Sequence, residues 1–378
     1  MLRRKFTFGF AGALGASLAG AAFGQAERAS EWARPVRNFK DMVLLDVSPD
    51  GRQLCLYPSE TFEPPRGLKR GIVRDATPLS KHTLMVIELG SWTILSSTEL
   101  RGASVNVSFF ADSTVLYAEL EAERQGDRSG KPGLLIDFAK TKVEETFEPG
   151  TAGRSTTSYR ALARQLLLGE QRNGGGKDTA SLFLAQLPGY QETRRVLLTE
   201  GRKPVDGASM ISSDRKFVAF ATDRTLQLRR TEDLSVVWAQ ETAGKQPSEK
   251  LLSVSATGSI VAAPVERKGL SSVIVYDGAT GKEVTAISSE TVTGLAVSPD
   301  GRYLAIGVAA KDKSDLVPTV RVHEISSGRS VEVLTHDRVP VGKDASSRAA
   351  FGPRGIQFTV DGKFLLTSTM HTRAWQLT

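Results

Sequence analysis

Apolar residues of this chain occur in short runs that are separated by polar turns, and the pattern continues from about residue 35 to the C terminus. Within a run, apolar and polar positions alternate or the run is briefly continuous, as in half-buried and buried β-strands. Apolar positions at helical spacing are almost absent. The pattern therefore predicts an all-β protein that is built from many short strands.

An internal repeat organises these strands, and a tight turn is its clearest mark. Residues 45–56 read LDVSPDGRQLCL and residues 295–306 read LAVSPDGRYLAI, so each segment is an apolar strand, a turn and a second apolar strand. Proline presets φ, aspartate can bond its own backbone and glycine accepts positive φ, which together favour a hairpin corner. Weaker copies begin at Val105, Ala208, Leu251 and Ile356, and a seventh copy from Tyr159 has lost its turn residues.

A second pair of strands follows each hairpin, for example SVIVYDGATGKEVTAI from Ser272 and TVRVHEISSGRSVEVL from Thr319. Four short strands of this kind make one blade of a β-propeller, and the repeat unit is roughly 50 residues long. We therefore predict a single seven-bladed β-propeller over residues 27–378, with four antiparallel strands per blade. The last unit has room for three strands only, so residues near 32–39 are expected to supply the missing outer strand.

These motifs resemble those of the WD-repeat and YVTN-type propeller families. The resemblance covers about residues 35–378 and rests on the two Ser-Pro-Asp-Gly-Arg turns, on VYDGATGK at residues 275–282 and on TVRVHE at residues 319–324. The units lack the Gly-His and Trp-Asp dipeptides of the strict WD pattern. The resemblance implies a degenerate propeller of an exported bacterial type, and it implies no particular function.

The N-terminal segment reads MLRRKFTFGFAGALGASLAGAAFGQA, with three cations, a Gly/Ala-rich apolar stretch and then small residues. We predict that residues 1–26 are an export signal peptide, since the apolar stretch is too short and too weakly apolar for a membrane anchor. Arg3-Arg4-Lys5-Phe6 resembles the twin-arginine pattern, and an ordinary secretory signal is the alternative. We expect a periplasmic or secreted protein without stable membrane insertion after the signal is removed.

Composition and charge narrow the class of protein. The chain has 378 residues, 40% hydrophobic residues, 24% charged residues and one cysteine, which excludes a disordered, disulfide-stapled or polytopic membrane protein. Loss of residues 1–26 lowers the net charge from +7 to +4. Because this excess of positive charge is modest, we expect no nucleic-acid partner. Cys55 lies in an apolar run and is expected to be a buried core residue. We expect a monomer.

The repeat units differ in length mainly between their second and third strands. The longer connections are predicted at residues 58–82, 119–133, 169–180, 264–271 and 310–318, whereas residues 222–224 and 370–371 form tight connections. In a propeller these connections emerge on one face, and insertions confined to one face often mark a binding surface. The alternative is that long loops accumulate wherever they do no harm.

Basic residues on these connections are the candidate binding residues. The first connection has five bases against three acids, whereas residues 119–133 hold four acids and three bases, so the face as a whole is mixed in charge. An acidic ligand is one interpretation, and an ordinary solvated loop is the other. The candidates are Arg66, Lys69, Arg70, Arg74, Lys81, Arg124, Arg128, Lys131, Arg267, Lys268, Lys311 and Lys313.

The chain shows no local catalytic or metal-binding motif. Four histidines (His82, His323, His336 and His371) lack the spacing of a zinc motif, and the mature chain has no Gly-x-Ser-x-Gly sequence. Gly174-Gly175-Gly176-Lys177 departs from a phosphate-binding loop and is expected to be flexible. His336 and Asp337, in a connection between blades, can converge at the rim with His371 and Arg373. No metal and no cofactor are predicted, and no catalytic residue is identified.

The leading hypothesis is an exported, non-enzymatic propeller that presents its loop-rich face to a protein or peptide partner. The alternative is a propeller enzyme that resembles lactonases or quinoprotein dehydrogenases, with its site on the central channel. A third hypothesis is the propeller part of a sensor or peptidase complex in which another polypeptide brings catalysis. Propeller enzymes assemble sites from single residues of many blades, so the missing motifs do not decide between these hypotheses.

Overall fold

A computed structural model describes most of the chain after its N-terminal segment. The described residues are 32–58, 81–101, 105–120, 130–140, 142–149, 154–163, 165–172, 178–187, 189–201, 208–221, 225–241, 251–267, 270–289, 291–312, 315–340 and 352–378. Their regular secondary structure consists of β-strands alone.

The described residues form twenty-nine strands, numbered in chain order. The first fifteen are β1 (Ala33–Phe39), β2 (Met42–Val47), β3 (Gln53–Pro58), β4 (Lys81–Glu88), β5 (Ile94–Arg101), β6 (Val105–Phe109), β7 (Val115–Leu120), β8 (Gly130–Asp137), β9 (Lys142–Pro149), β10 (Arg154–Ala161), β11 (Gln165–Arg172), β12 (Asp178–Gln186), β13 (Gln191–Gly201), β14 (Ala208–Ile211) and β15 (Phe217–Ala221). The others within the described residues are β16 (Thr225–Arg230), β17 (Val236–Glu241), β18 (Ser253–Val254), β19 (Ile260–Arg267), β20 (Leu270–Asp277), β21 (Glu283–Ser289), β22 (Val292–Val297), β23 (Tyr303–Asp312), β24 (Asp315–Glu324), β25 (Ser330–Thr335), β26 (Val339–Pro340), β27 (Gly355–Phe358), β28 (Phe364–Ser368) and β29 (Thr372–Leu377).

These strands form seven antiparallel sheets, which we number as blades 1 to 7 along the chain. Blades 1 to 5 are β2-β3-β4-β5, β6-β7-β8-β9, β10-β11-β12-β13, β14-β15-β16-β17 and β18-β19-β20-β21. Blade 6 is β22-β23-β24-β25 with β26 added on β24, and blade 7 is β27-β28-β29-β1. The predicted fold, an all-β seven-bladed propeller with four antiparallel strands per blade, is confirmed.

The outer strand of blade 7 comes from the opposite end of the chain. β1 pairs antiparallel with β29, and the register runs from Ala33 opposite Leu377 to Phe39 opposite Thr372. Trp32 lies just before β1, and its ring meets that of Tyr303 in blade 6 edge to face at 5.5 Å between centroids. The strand therefore completes the sheet of blade 7 and leads directly along the chain into β2 of blade 1.

The hydrophobic core lies between neighbouring blades. Each of the seven clusters of buried apolar residues in the described part of the chain combines side chains of two adjacent blades, including blades 7 and 1. Cys55 is 0% exposed in the cluster of blades 1 and 2, as expected. Burial raises the pKa of its thiol well above the usual value, and the nearby charge of Asp46 adds to this, so the thiol is an inert core group.

A recurring hydrogen-bonded turn joins the first and second strands of most blades, and we call these connections the A–B turns. In blade 1, the hydroxyl of Ser48 donates to Asp50 Oδ1 at 2.5 Å and accepts the N–H of Gln53 at 2.9 Å, while Asp50 Oδ1 accepts the N–H of Arg52 at 3.0 Å. Blades 4, 6 and 7 repeat this geometry from Ser212, Ser298 and Thr359. Gly51 closes the turn at φ +71°, which an L side chain rarely adopts.

Blade 3 departs from this turn. β10 ends at Ala161 and β11 begins at Gln165, so its A–B turn is shorter than the corresponding segment of blade 4, residues 212–216. The N–H of Leu162 donates directly to the carbonyl of Gln165 at 2.8 Å. The seventh repeat copy, which lacks the turn residues in the sequence, is thus a complete blade with a reduced turn.

Candidate functional site

The two faces of the ring carry different connections because every blade has the same strand order. The A–B face holds the A–B turns and the connections between third and fourth strands. The opposite face, which we call the B–C face, holds the connections between second and third strands and those between blades. The B–C connections range in length from residues 59–80 in blade 1 to residues 268–269 in blade 5 and 313–314 in blade 6. Variation in length is therefore concentrated on the B–C face.

Two of the predicted long loops on this face are hairpins instead. Residues 264–271 belong largely to β19 and β20, which pair up to Arg267 opposite Leu270. Residues 310–318 belong largely to β23 and β24, which pair up to Asp312 opposite Asp315. β23 and β24 of blade 6 each have 10 residues, and β26 pairs with the start of β24 at Asp315 and Leu316. The extra length in blades 5 and 6 is therefore paired strand rather than loop.

The twelve candidate binding residues divide into two groups. Arg66, Lys69, Arg70, Arg74, Arg124, Arg128, Lys268 and Lys313 lie outside the described residues. The other four lie in strands at the B–C end of blades 1, 2, 5 and 6, and they are Lys81 in β4, Lys131 in β8, Arg267 in β19 and Lys311 in β23. The backbone therefore brings these four to one face, at separate blades of the ring.

His336 is a buried residue of the blade 6 to blade 7 connection. It is 4% exposed, and its Nε2 lies 2.8 Å from the hydroxyl of Thr367. The indole N–H of Trp375 donates to the same hydroxyl at 2.8 Å, so the hydroxyl proton is directed towards an unprotonated Nε2. Burial and, next, the charge of Arg373 lower the pKa of His336 from 6.5 to about 4. His336 is thus a neutral structural residue that ties the connection to blade 7.

The other rim residues of this junction also meet, as the sequence suggested. Arg373 donates to Asp337 Oδ1 at 2.7 Å and to the carbonyl of Thr335 at 2.8 Å. His371 Nδ1 accepts the N–H of Asp41 at 2.8 Å, where β1 turns into β2. Each of these polar groups therefore holds two segments of the closing blade together. The cluster has a structural explanation and presents no set of groups arranged for chemistry.

We expect the stability of the protein to fall in mild acid because of His336. The unfolded state, with a pKa near 6.5, binds a proton that the folded state refuses until the pH falls to about 4. The contribution is therefore complete above pH 6.5 and is lost progressively as the pH falls from 6.5 to the folded pKa of about 4, with about 2 kcal/mol lost between pH 7.5 and 5. Urea unfolding at the two pH values measures this loss. In His336→Gln, which keeps a hydrogen-bonding partner for Thr367, this loss should be absent, and an unchanged loss would contradict the assignment.

The central channel contains a cavity of about 160 Å³ near the A–B face. Its wall is formed by the innermost strands and the A–B turns, and it exposes both polar and apolar groups. The charged or amide groups among its lining residues are Asp46 of blade 1, Arg215 of blade 4 and Gln357 of blade 7. Ser108, Ser213 and Ser253 add hydroxyl groups. The cavity therefore presents polar groups from several different blades beside apolar surface.

Three of these polar side chains also connect neighbouring blades. Asp46 Oδ2 accepts the N–H of Phe109 at 2.9 Å, which joins blade 1 to blade 2. The hydroxyl of Ser108 accepts the N–H of Ala161 at 3.0 Å, and that of Ser253 accepts the N–H of Val297 at 2.8 Å. These contacts hold the polar groups of the channel in fixed positions.

Arg215 stands at the positive-φ position of the blade 4 A–B turn. Its φ is +61°, and glycine occupies the equivalent position in four other blades, at Gly51, Gly258, Gly301 and Gly362. Its guanidinium passes the reduced turn of blade 3 and donates from Nη2 to the carbonyl of Phe109 in blade 2 at 2.9 Å. The side chain therefore crosses part of the channel mouth on the A–B face.

The channel residues were not identified from the sequence. Asp46 and Arg215 come from different blades, so no local motif contains both. One signal was available: alignment of the turn copies places Arg215 of Ser212-Ser213-Asp214-Arg215 where Gly51 stands in Ser48-Pro49-Asp50-Gly51. A large charged residue at a glycine position is a departure that points to a role of its side chain.

Neither a metal cluster nor a membrane-spanning helix occurs among the described residues. They contain no group of three or more His, Cys, Asp and Glu side chains that is placed to hold a metal ion. They also contain no helix with the length and apolar character needed to cross a bilayer.

Comparison with solved structures agrees with the fold. The chain is similar to the β-propeller domain of Cps50 (Swd1) from Myceliophteria thermophila, with a TM-score of 0.56, 12% sequence identity and coverage of 92% of this chain and 100% of that one. It is also similar to KlHsv2 with loop 6CD replaced by a Gly-Ser linker, with a TM-score of 0.53, 11% identity and coverage of 89% and 98%. At such identities the likeness is one of fold alone. No protein-family model and no curated protein matches the chain. The chain is thus a seven-bladed β-propeller, the class of protein that its sheets define.

Proposed function

We propose that this protein is an exported, non-enzymatic scaffold that presents its B–C face to a protein or peptide partner. The observation that supports the proposal is the contrast between the two faces. The A–B turns repeat one hydrogen-bonded geometry in several blades, whereas the B–C connections differ in length from blade to blade. Variable segments on a rigid scaffold are a common arrangement of binding proteins.

The recognition mechanism of this scaffold would be rigid presentation. Strand pairing within each blade and apolar packing between neighbouring blades fix the position of each blade, so the scaffold needs little ordering when a partner binds. The twelve basic residues named above are the proposed contacts, spread over blades 1, 2, 5 and 6. Since acids accompany them, we propose a partner surface of mixed charge. The resemblance to WD-repeat and YVTN-type propellers and the predicted signal peptide support an exported binding protein of this kind.

Face-specific replacement tests the proposed function. We expect the intact protein to retain a partner from a periplasmic extract, and a variant with residues 59–80 replaced by a short Gly-Ser turn to retain at least tenfold less of it. Lys216→Ala, on the A–B face, is the matched control and should retain the partner fully. The urea midpoint of each variant checks that the ring is intact. Equal retention by all three proteins, or no retained partner, would count against the proposal.

A further inference from the structure

The outermost strand of each blade has one free edge at the rim of the ring. In the described part of the chain these outer strands pair on one side only, and they are β5, β9, β13, β17, β21, β25 and β1. An edge strand presents backbone N–H and C=O groups that can pair with another extended chain, so proteins usually interrupt or cover such edges. The regularity of each outer strand therefore decides whether the rim can accept an additional strand.

A β-bulge interrupts the outer strand in six blades. The register shifts lie in the pairing of β4 with β5, β12 with β13, β16 with β17, β20 with β21, β24 with β25 and β29 with β1. In each case the outer strand contains the extra residue, for example Leu95 in β5 and Val284 in β21. A bulge bends and twists its strand and leaves a residue unpaired, which opposes regular pairing along the free edge.

The outer strand of blade 2 has no bulge. β9 pairs with β8 through eight successive residues, from Lys142 opposite Asp137 to Pro149 opposite Gly130, without a register shift. The longest unbroken run in the other described outer strands is six residues, 96–101 of β5. Regular antiparallel pairing directs the N–H and C=O groups of alternate residues away from the partner strand. Among the described strands, β9 therefore offers the longest regular edge for strand addition.

The start of this edge is open to solvent. Val143 is 47% exposed. The side chains of Lys142 and Glu144 are 62% and 50% exposed, and they form an ion pair with each other along the strand. At the preceding turn, Lys140 pairs with Asp137 at 2.9 Å. An added strand can therefore reach β9 here without displacing a buried side chain.

The charge of β9 selects the kind of strand that can be added. Its sequence KVEETFEP has three glutamates and one lysine, so its formal charge is −2. β8 contributes one lysine and one aspartate, which leaves this charge unchanged. A second copy of this chain, paired through its own β9, would bring another charge of −2 against the first. A strand rich in lysine or arginine would instead place opposite charges beside each other.

We propose that β9 is a docking edge for an extended basic segment of a protein partner, which adds to blade 2 as a fifth strand. Backbone hydrogen bonds to the free edge of β9 supply the pairing, and lysine or arginine side chains of the segment meet the glutamates of β9. The bulges protect the other outer strands from the same addition. The docking edge lies on the rim of the ring and does not depend on the proposed partner surface of the B–C face.

Fluorescence anisotropy of the full chain with a labelled heptapeptide of sequence KVKTKVK tests the docking edge. We expect saturable binding at low salt. The same peptide with three consecutive N-methylated residues at its centre should bind at least tenfold more weakly, because it keeps its charge and loses backbone donors. Glu144→Lys, which brings the charge of β9 from −2 to zero, should weaken binding about fivefold. Glu283→Lys, on the bulged strand β21, is the matched control and should bind as the intact protein does.

Amide hydrogen exchange locates the added strand. Saturating peptide should slow exchange in residues 142–149 about tenfold and leave residues 283–289 of β21 unchanged, since new backbone hydrogen bonds form at β9 only. A dimer of the intact protein that the peptide dissociates would assign the edge to a second copy and overturn the proposal.

Three further results would overturn it: no peptide binding, equal binding of the N-methylated peptide or of Glu144→Lys, and unchanged exchange in residues 142–149. Failure of partner capture by the B–C face leaves these results unaffected, so the two proposals fail independently.

Discussion

A chain that begins at Asp41 is expected to be less stable than a chain that begins at Trp32 by roughly 5 kcal/mol, because it lacks the strand that closes the ring. β1 pairs with β29 along its whole length. Its side chains enter two cores: Ala33 packs with blades 6 and 7, and Val36 and Phe39 pack with blades 7 and 1. Removal of β1 exposes both cores and leaves β29 as an open edge.

Urea unfolding of the two chains at equal concentration measures the effect. The chain that begins at Trp32 is the matched control, since it keeps β1 and the contact between the rings of Trp32 and Tyr303. Phe39→Ala in the longer chain is a milder variant, which serves if the shorter chain does not fold. We expect it to lower the free energy of unfolding by about 2 kcal/mol. Equal midpoints for the two chains and for Phe39→Ala would contradict the closing role of β1.

Gly278→Ala is expected to destabilise the protein by about 3 kcal/mol or more, although the change adds one methyl group. A Cβ atom at Gly278 would lie 1.8 Å from the carbonyl oxygen of Gly258, which is backbone and cannot turn aside. Gly278 also donates its N–H to Ser259 at 2.7 Å and accepts the indole N–H of Trp238 of blade 4 at 2.9 Å. The new methyl group would therefore disturb both blade 5 and its contact with blade 4.

Gly189→Ala supplies the control for this substitution. Gly189 lies between the third and fourth strands of blade 3, as Gly278 does in blade 5, and a Cβ there meets no atom within 4 Å. Its expected effect on the free energy of unfolding is neutral or slightly favourable, because alanine restricts the unfolded chain. Similar urea midpoints for the two variants would contradict the close packing of Gly278 against the Gly258 backbone and blade 4.

The blade architecture was predictable because the turns are local. Ser48, Asp50 and Gly51 form their hydrogen bonds and positive φ within a few residues, and the same chemistry recurs from Ser298. Local chemistry of this kind leaves a visible motif in the sequence. Blade 3, which lacks the motif, could be inferred only from its place in the repeat.

The hairpins of blades 5 and 6 were harder to predict. Residues 310–318 are rich in charged residues and were expected to form a loop. They form strands because β23 and β24 pair with each other as far as Asp312 opposite Asp315. The polarity of this segment therefore gave no information on its strand pairing.

The channel site was invisible in the sequence for a different reason. Asp46, Ser108, Arg215 and Ser253 are each contributed by a different blade, and the closed ring alone brings them together. The rim cluster was partly visible, because His336 and Asp337 are adjacent and Arg373 follows two residues after His371. Their partners, Thr367 and Asp41, needed the register of the closing blade. Contacts made by ring closure cannot be found from local spacing.

Photo-cross-linking tests the central claim, that the B–C face of a rigid ring carries the binding function. Photoreactive residues would replace Lys268 and Lys313 on the B–C connections of blades 5 and 6, and Asp214 and Asp300 on the A–B turns as controls. We predict that one partner is cross-linked from the first pair and not from the second. Cross-links from Asp214 and Asp300 alone would contradict the claim and assign binding to the opposite face.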